Sequence, residues 1–272
     1  MRVGWKSGSV LAASAVAFIS AVVWRRDHGV LRFGYNEHRL EPAEYAALAA
    51  RPEWTARTLV ATDGVHLRGL MRRPSTANTP WVLFFTGNDA HPLEVGQRFL
   101  EAVCAPGDWG GAVWAYRGFD GSDGTPSPEW LMADAGHEYD DLVAGEHVDP
   151  RRLHVVGFSL GTAMATGVAA RSASSPVASL SLLSPTTELD MMPSRWSFPQ
   201  RFETTKYLPA LTGPVLVVHG AEDDVLPIEG GRQIAHVLGA RATYVEEPNL
   251  KHLDVPTSAN VIERVRAFIA AH

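Results

Sequence analysis

Short apolar runs alternate with amphipathic stretches along most of the chain, from about residue 55 to the end. Runs rich in aliphatic and aromatic residues predict six strands, at 81–85, 111–116, 153–158, 177–184, 214–220 and 242–247. The stretches between them predict helices near 93–104, 129–146, 160–171, 228–238 and 257–270. Continuous apolar strands separated by helices are typical of a parallel sheet covered on both faces. We therefore expect an α/β domain over residues 56–272.

A different pattern precedes these strands. Polar and apolar residues alternate on both sides of Asp63-Gly64, a dipeptide typical of tight hairpin turns. We expect this antiparallel hairpin to lead into the sheet. Residues 27–55 predict a linker with one short helix in the stretch EPAEYAALAA. Residues 185–213, between two predicted strands, predict a lid that is too short to form a large cap domain.

The N-terminal segment contains a long uncharged, largely apolar run. Residues 7–24 form a run of 18 residues without a charge, which as a helix would span about 27 Å, near the lower limit for a bilayer core. We expect residues 1–26 to be a single membrane anchor. A cleaved signal peptide, which would make the domain secreted or periplasmic, and a soluble alanine-rich helix are the alternatives. Basic residues flank the run on both sides, so charge does not indicate which side of the membrane the domain faces.

Composition narrows the classes of function. Hydrophobic residues make up 46% of the 272 residues, which is enough for a sizeable core. The net charge is −6, so no basic field predicts nucleic-acid binding. The single cysteine, Cys104, excludes an internal disulfide and a cysteine-based metal site.

A serine follows the strand predicted at 153–158, within Gly157-Phe158-Ser159-Leu160-Gly161. Ligands bind at the carboxyl ends of the strands in sheets of this kind. At a strand-to-helix bend this pattern lifts a serine hydroxyl out of the sheet, and the glycines prevent clashes. The alternative is a tight turn in which the serine only caps the helix.

Two other strand ends carry the partners that a nucleophilic serine needs. The strand at 214–220 is followed by an acidic turn, where Asp223 and Asp224 both qualify to orient a histidine. His252 follows the strand at 242–247, and an imidazole is the best general base near neutral pH. A solvated acidic turn and a surface histidine are the alternatives.

A fourth strand end predicts an oxyanion hole. The loop after the strand at 81–85 contains Gly87 and Asn88, and it can place a backbone N–H beside Ser159. The N–H of Leu160, the residue after the nucleophile, would be the second donor. Two such donors would hold the negative oxygen of a tetrahedral intermediate.

These motifs resemble the α/β-hydrolase superfamily, and the resemblance covers residues 55–270. Within this superfamily, the chain resembles the serine aminopeptidase-like group, which includes bud-emergence-like and depalmitoylating proteins. Its His-Gly-Asn-Ala stretch is similar to FFTGNDA. Its Tyr-Arg-Gly-Tyr-Gly-x-Ser-x-Gly-x-Pro-Ser and His-Gly-x-x-Asp-x-x-Val-Pro stretches are similar to YRGFDGSDGTPS and HGAEDDVLP. Many relatives also begin with one hydrophobic segment.

The resemblance implies an α/β-hydrolase fold and specific site residues. Matching the motifs makes Ser159 the nucleophile, His252 the base and Asp223, rather than Asp224, the acid. The chain departs from the group at Thr86, where histidine is usual, and at Asp120, where glycine is usual. Thr86 lies in the same loop as Asn88, and neither departure touches the three catalytic residues.

The strand ends and the resemblance together predict a serine hydrolase that acts on an ester or thioester, with no metal ion and no organic cofactor. The expected substrate is a small-molecule or lipid-like acyl compound, and the membrane is the expected partner of the N-terminal segment. A peptidase or acyltransferase that uses the same three residues is the first alternative. A non-catalytic, membrane-associated binding protein of this fold is the second. Nothing in the sequence indicates an oligomeric state.

Overall fold

The computed structural model describes residues 32–34, 40–89, 91–171, 175–192 and 200–272. The hydrophobic run at 7–24, on which the anchor prediction rests, lies outside these residues. Among the described residues, no helix combines the length and the apolar character needed to cross a bilayer.

Eleven strands are present in the described part of the chain, and most of them were predicted from the apolar runs. In chain order they are β1 (Arg32–Gly34), β2 (Trp54–Val60), β3 (His66–Arg72), β4 (Trp81–Phe85), β5 (Gly110–Trp114), β6 (Leu153–Phe158), β7 (Ser179–Leu183), β8 (Glu188–Met192), β9 (Gln200–Glu203), β10 (Val215–Gly220) and β11 (Ala242–Glu247).

Eight strands form the main sheet, in the order β11-β10-β7-β6-β4-β5-β3-β2. The hairpin of β2 and β3 is antiparallel, as its turn predicts, and β3 is also antiparallel to β5. The other neighbours are parallel. Every residue of β5, β6, β7 and β10 is buried, as expected for strands covered on both faces. The predicted fold class is confirmed.

In the described part of the chain, five α-helices lie between strands and a sixth follows the last strand. They are α1 (Pro42–Ala49), α2 (Pro92–Cys104), α3 (Pro128–Asp140), α4 (Gly161–Arg171), α5 (Ile228–Leu238) and α6 (Ala259–Ala271). Helix α2 contacts α6, and α3 contacts α4. The ring of Phe84 in β4 stacks on that of Phe99 in α2, with centroids 4.2 Å apart, so aromatic packing joins the sheet to one helix layer.

A small second sheet was not predicted. Strand β1 pairs in parallel with β8, and β8 pairs antiparallel with β9. Strands β8 and β9 belong to the segment predicted as a lid, and β1 belongs to the segment predicted as a linker. Runs of three to five residues are too short to show a strand period, so the hydrophobic pattern could not reveal them.

The register of the main sheet places four loops at one edge. Phe85 of β4 lies opposite Gly157 of β6, and Phe158 lies opposite Leu183 of β7. The end of β10 continues the same line, because Val218 also lies opposite Leu183. The loops that follow β4, β6, β10 and β11 therefore leave the sheet at its carboxyl edge, where ligands bind in sheets of this kind.

Candidate active site

Ser159 stands on a sharp bend directly after β6. Its φ angle is +52°, in the left-handed region that residues other than glycine rarely adopt. The Ser159 N–H donates to the carbonyl oxygen of Leu183 at 2.9 Å, and the carbonyl of Ser159 accepts bonds from the N–H and hydroxyl of Thr162 at 3.0 and 2.6 Å. The bend is therefore fixed from β7 on one side and from the first turn of α4 on the other.

Two glycines allow this bend to lie close to the neighbouring strand. A Cβ on Gly161 would overlap the carbonyl oxygen of Phe85 and lie 2.5 Å from that of Thr86. A Cβ on Gly157 would lie 2.5 Å from the carbonyl oxygen of Gly161. The start of α4 thus contacts the backbone at the end of β4, which brings the loop after β4 beside Ser159.

The Ser159 hydroxyl meets a histidine and an aspartate from two other loops. Ser159 Oγ is 2.9 Å from Nε2 of His252, and Nδ1 of His252 is 2.8 Å from Oδ2 of Asp223. Because Nδ1 faces a carboxylate, it carries the hydrogen in the neutral imidazole, and Nε2 accepts the hydrogen bond from the serine. His252 is 3% exposed and its ring lies 5.0 Å from that of Phe158, so its orientation is fixed by packing as well.

Asp223 is held as an anion despite its burial. Burial by itself would raise its pKa, but hydrogen bonds from His219, His252 and the backbone N–H of Leu226 together hold the pKa well below the usual value for an aspartate. Its Oδ1 accepts the N–H groups of Val225 and Leu226 at 3.0 and 2.7 Å. The turn after β10 therefore directs a charged oxygen at the imidazole.

Asp224, the other candidate for this role, points away from the site. Its side chain is 57% exposed and lies 3.7 Å from Nζ of Lys251. The two adjacent aspartates are thus separated by their environments, one buried against His252 and one in solvent.

Comparison with known proteins places this architecture in a family. The family described as the α/β hydrolase fold matches residues 115–210. Rv2307c, an uncharacterised protein of Mycobacterium tuberculosis, is 30% identical over 205 residues, which cover 71% of this chain and 70% of that protein. The chain belongs to the α/β-hydrolase superfamily.

Two further proteins are similar to this α/β-hydrolase. The α/β-hydrolase domain-containing protein aho-3 of Caenorhabditis elegans is 27% identical over 200 residues, which cover 71% of this chain but only 58% of aho-3. The crystal structure of an α/β-hydrolase from Vibrio vulnificus superposes with a TM-score of 0.67 at 20% identity, covering 87% of this chain and 88% of that one. The family match at 115–210 contains Ser159, whereas Asp223 and His252 lie beyond it.

A second histidine of this α/β-hydrolase lies at the site and was not predicted. His219, in β10, is fully buried. Its Nε2 lies 3.2 Å from the carbonyl oxygen of Leu226 and 3.3 Å from Oδ2 of Asp223. Both neighbours accept hydrogen bonds, so Nε2 carries a hydrogen and donates. His219 begins the stretch HGAEDDVLP, four residues before Asp223, and that spacing at a strand end was the available signal.

The loop predicted to form the oxyanion hole lies against the Ser159 bend. The hydroxyl of Tyr116 donates to the carbonyl oxygen of Thr86 at 2.7 Å, and Thr86 is fully buried. A Cβ added to Gly87 would lie 3.0 Å from the ring of Phe158, the residue before Ser159. Leu160, the residue after Ser159, is buried. The structure thus brings the two loops together, and the roles of the Asn88 and Leu160 N–H groups stay predictions.

The second departure from the group, at Asp120, has a structural explanation. Asp120 is fully buried, and its Oδ2 accepts the N–H of Leu93 at 2.9 Å, in the first turn of α2. The residue at the N-cap position of that helix, His91, makes no capping bond with its side chain. Asp120 therefore caps α2 from another loop, and a carboxylate at a helix N-terminus is favourable.

Within the part of the chain that the structure describes, no group of three or more His, Cys, Asp or Glu side chains is arranged to hold a metal ion.

Proposed function

We propose that this α/β-hydrolase is a serine hydrolase that cleaves a carboxylic ester or thioester through an acyl-enzyme intermediate. The observation that carries the proposal is the continuous chain from Ser159 Oγ through His252 to Asp223, with contacts of 2.9 and 2.8 Å, on a bend at the carboxyl edge of the sheet. A serine hydroxyl is a weak nucleophile until an adjacent base accepts its proton.

The acylation half of the reaction uses each of these contacts. Ser159 Oγ attacks the carbonyl carbon of the substrate while its proton moves to Nε2 of His252. Asp223 stabilises the resulting imidazolium through Nδ1 and does not itself take the proton. The negative oxygen accepts hydrogen bonds from the backbone N–H groups of Leu160 and Asn88. When the bond to the leaving group breaks, His252 returns the proton to the departing oxygen or sulfur.

The deacylation half repeats these steps with water. His252 accepts a proton from a water molecule as that water attacks the acyl-serine carbonyl. The second tetrahedral intermediate collapses, the proton passes from His252 to Ser159 Oγ, and the carboxylic acid leaves. The proposed cycle needs no reactant other than the acyl substrate and water.

The cysteine of the chain is a poor competitor for the nucleophile role. Cys104 is fully buried, and burial raises the pKa of its thiol to about 12. It is therefore uncharged at neutral pH and is a weak nucleophile, because the thiolate is the reactive form.

The preference for an ester or thioester over an amide is supported by the resemblance to depalmitoylating proteins. The lid segment between β7 and β10 is too short for a large cap domain, which is consistent with a site open to acyl chains.

The first test is labelling by a fluorophosphonate probe. Wild type should be labelled, and Ser159→Ala should lose labelling completely. Ser184→Ala is a matched control, because Ser184 also follows a parallel strand, with φ +46°, and its buried Oγ has no hydrogen-bond partner among the described residues. The control should be labelled like wild type. Labelling that persists in Ser159→Ala would refute the assignment.

The second test is a substrate series. We expect Ser159-dependent turnover of p-nitrophenyl acyl esters and of acyl thioesters with matched chain lengths. Aminoacyl arylamides report peptidase activity. If the arylamides are turned over and neither esters nor thioesters are, the proposed class is wrong although Ser159 is still the nucleophile.

A further inference from the structure

Asp89 is a carboxylate in the oxyanion loop to which the proposed reaction gives no role. It lies two residues after Gly87, in the loop that follows β4, and its side chain is half-buried. The similar stretch of the resembled group, His-Gly-Asn-Ala, has an alanine at this place. A negative charge here is unexpected, because it repels the negative oxygen that develops on a neutral ester.

The position of Asp89 is defined by its neighbours. A Cβ added to Gly87 would lie 3.2 Å from Oδ2 of Asp89 and 3.0 Å from the ring of Phe158. The Phe158 ring in turn lies 5.0 Å from that of His252. A positive charge on His252 would lower the pKa of Asp89, so the two groups lie within electrostatic range of each other. The carboxylate therefore lies close to the Phe158 ring that packs beside His252.

One oxygen of this carboxylate lacks a donor. Oδ2 of Asp89 is buried and has no hydrogen-bond partner among the described residues. Burial raises the pKa of Asp89 above its ordinary value. A buried acceptor without a donor costs free energy that a donor from a bound ligand recovers.

We propose that Asp89 is a specificity-determining residue that binds a protonated amine carried by the substrate within a few atoms of the scissile carbonyl. An ammonium group would donate to the unpaired Oδ2 and neutralise the charge that otherwise opposes the oxyanion. The inference rests on the proposed ester or thioester hydrolysis and narrows its substrates to cationic ones. It explains why a carboxylate is placed where a neutral residue suits a neutral ester better.

The test compares esters that differ only by a charge. On the acyl side, phenyl alaninate is compared with phenyl 2-methylpropanoate, in which a methyl group replaces the ammonium. On the alcohol side, 4-(aminomethyl)phenyl butyrate is compared with 4-ethylphenyl butyrate. The ratio of kcat/KM between the members of a pair is measured for wild type and for Asp89→Asn. Chemical reactivity that differs within a pair cancels when the two proteins are compared.

We expect Asp89→Asn to lower this ratio by about 10- to 100-fold in one of the two pairs, as the loss of a hydrogen bond between charged groups predicts. The pair that responds identifies the side of the ester that carries the amine. Asp224→Asn is the matched control, because it removes the same charge from an exposed aspartate in a different loop, the one after β10. Its ratios should equal those of wild type.

The outcomes separate the two proposals. Wild-type turnover of the neutral esters that depends on Ser159, with ratios equal in wild type and Asp89→Asn for both pairs, overturns the role of Asp89 and leaves the hydrolase intact. The same holds if Asp89→Asn slows both members of each pair equally. Turnover of no ester or thioester by wild type overturns the proposed function itself.

A measurement on wild type alone guards against a variant that fails to fold. Boronic acids bind the nucleophilic serine as analogues of the tetrahedral intermediate. We expect 1-aminoethylboronic acid to inhibit at least tenfold more strongly than isopropylboronic acid if the amine lies on the acyl side. Equal inhibition, together with equal ratios for the alcohol-side pair, contradicts the inference.

Discussion

At the scale of single residues, the site depends on how Asp223 is surrounded. Its carboxylate is fully buried, yet it accepts two backbone N–H groups on one oxygen and faces His219 and His252 with the other. Four donors around one anion hold both its charge and its direction. His219 is thus a positioning residue, because it touches Asp223 and not the reacting hydroxyl.

The stability of the fold should depend on this carboxylate in a specific pH window. The pKa of Asp223 in the folded state lies below the value of about 3.9 for an unfolded aspartate. The folded state therefore binds fewer protons, and the stability that Asp223 contributes is present above about pH 4 and is lost as pH falls towards the folded pKa. Lowering the pH towards 3 should therefore reduce the contribution of Asp223 to the stability of wild type.

Asp223→Asn is expected to remove that pH dependence. The difference in unfolding free energy between wild type and variant should be largest near pH 6 and smaller near pH 3. Urea titrations at a series of pH values measure it, and a difference that is independent of pH would contradict the role of the charge. Turnover by the variant at neutral pH should fall by about 10⁴-fold, because the imidazole loses its tautomer and its stabilising anion.

The sequence could identify part of the site and not the rest. Ser159 and His252 stand at strand ends, and Ser159 also lies in a recognisable pattern. Asp223 and Asp224 could not be separated by position alone, because only the hydrogen bonds of the folded turn direct one inwards. Asp89 could not be identified at all. The feature that distinguishes it is a buried oxygen without a hydrogen-bond donor, which exists only in the folded loop.

At the scale of elements, the strand, bend and helix around Ser159 act as one unit with β4. The backbone contact between the start of α4 and the end of β4 sets the distance from the oxyanion loop to the serine. Tyr116 adds a second restraint, because its buried hydroxyl holds the carbonyl of Thr86 at 2.7 Å. A disturbance at this contact should therefore change stability and activity together.

Gly161→Ala is the change that tests this contact. The added methyl group would overlap the carbonyl oxygen of Phe85, and backbone cannot move as cheaply as the end of a flexible side chain. We expect the unfolding free energy to fall by about 2–3 kcal/mol, with loss of probe labelling at Ser159. Denaturant titration and labelling of the same preparation measure the two effects.

Gly213→Ala is the control for adding a methyl group to a glycine. Its nearest neighbour would be the carbonyl oxygen of Val177 at 3.5 Å, an ordinary contact. It should change the unfolding free energy by less than about 1 kcal/mol and leave labelling intact. Equal effects of the two substitutions would show that the contact between α4 and β4 does not position the nucleophile.

Element length explains which parts of the fold were predictable. The central strands are buried on both faces, so their continuous apolar runs stand out, and β4 and β6 have the predicted bounds. The edge strand β11 is only partly buried, and its bounds were also predicted. The pattern at 129–146 predicts one helix, whereas α3 ends at Asp140 and is followed by a π-helical turn over Asp141–Gly145. A helix and a π turn bury similar positions over a few residues, so hydrophobic spacing cannot distinguish them.

At the scale of the whole molecule, the sheet collects residues that are far apart in the chain. Ser159 and His252 are 93 positions apart and meet because β6 and β11 end at the same edge. The small sheet adds a second long-range connection, since β1 precedes the main domain in sequence and pairs with β8 in the lid segment. A truncation before β1 therefore keeps this pairing, whereas one after it does not.

This boundary allows a clean test of the N-terminal segment. We propose that residues 1–26 anchor the enzyme in a membrane and so bring the site to acyl substrates held there. Removing residues 1–26 leaves β1 at Arg32–Gly34 in place. We expect the full chain to stay with membranes after alkaline carbonate extraction and the shortened chain to be released. Both should hydrolyse a short soluble ester with the same kcat/KM.

Activity on substrates of different acyl chain length, and the mass of the recovered protein, distinguish a membrane anchor from a cleaved signal peptide. If the anchor delivers the enzyme to its substrate, the shortened chain should lose activity on long-chain acyl substrates embedded in vesicles while it keeps activity on soluble ones. A full-length protein recovered without its first residues would instead indicate a cleaved signal peptide. Release of the intact full chain by carbonate would contradict anchoring, because an apolar segment buried in the bilayer is not displaced by a change of pH.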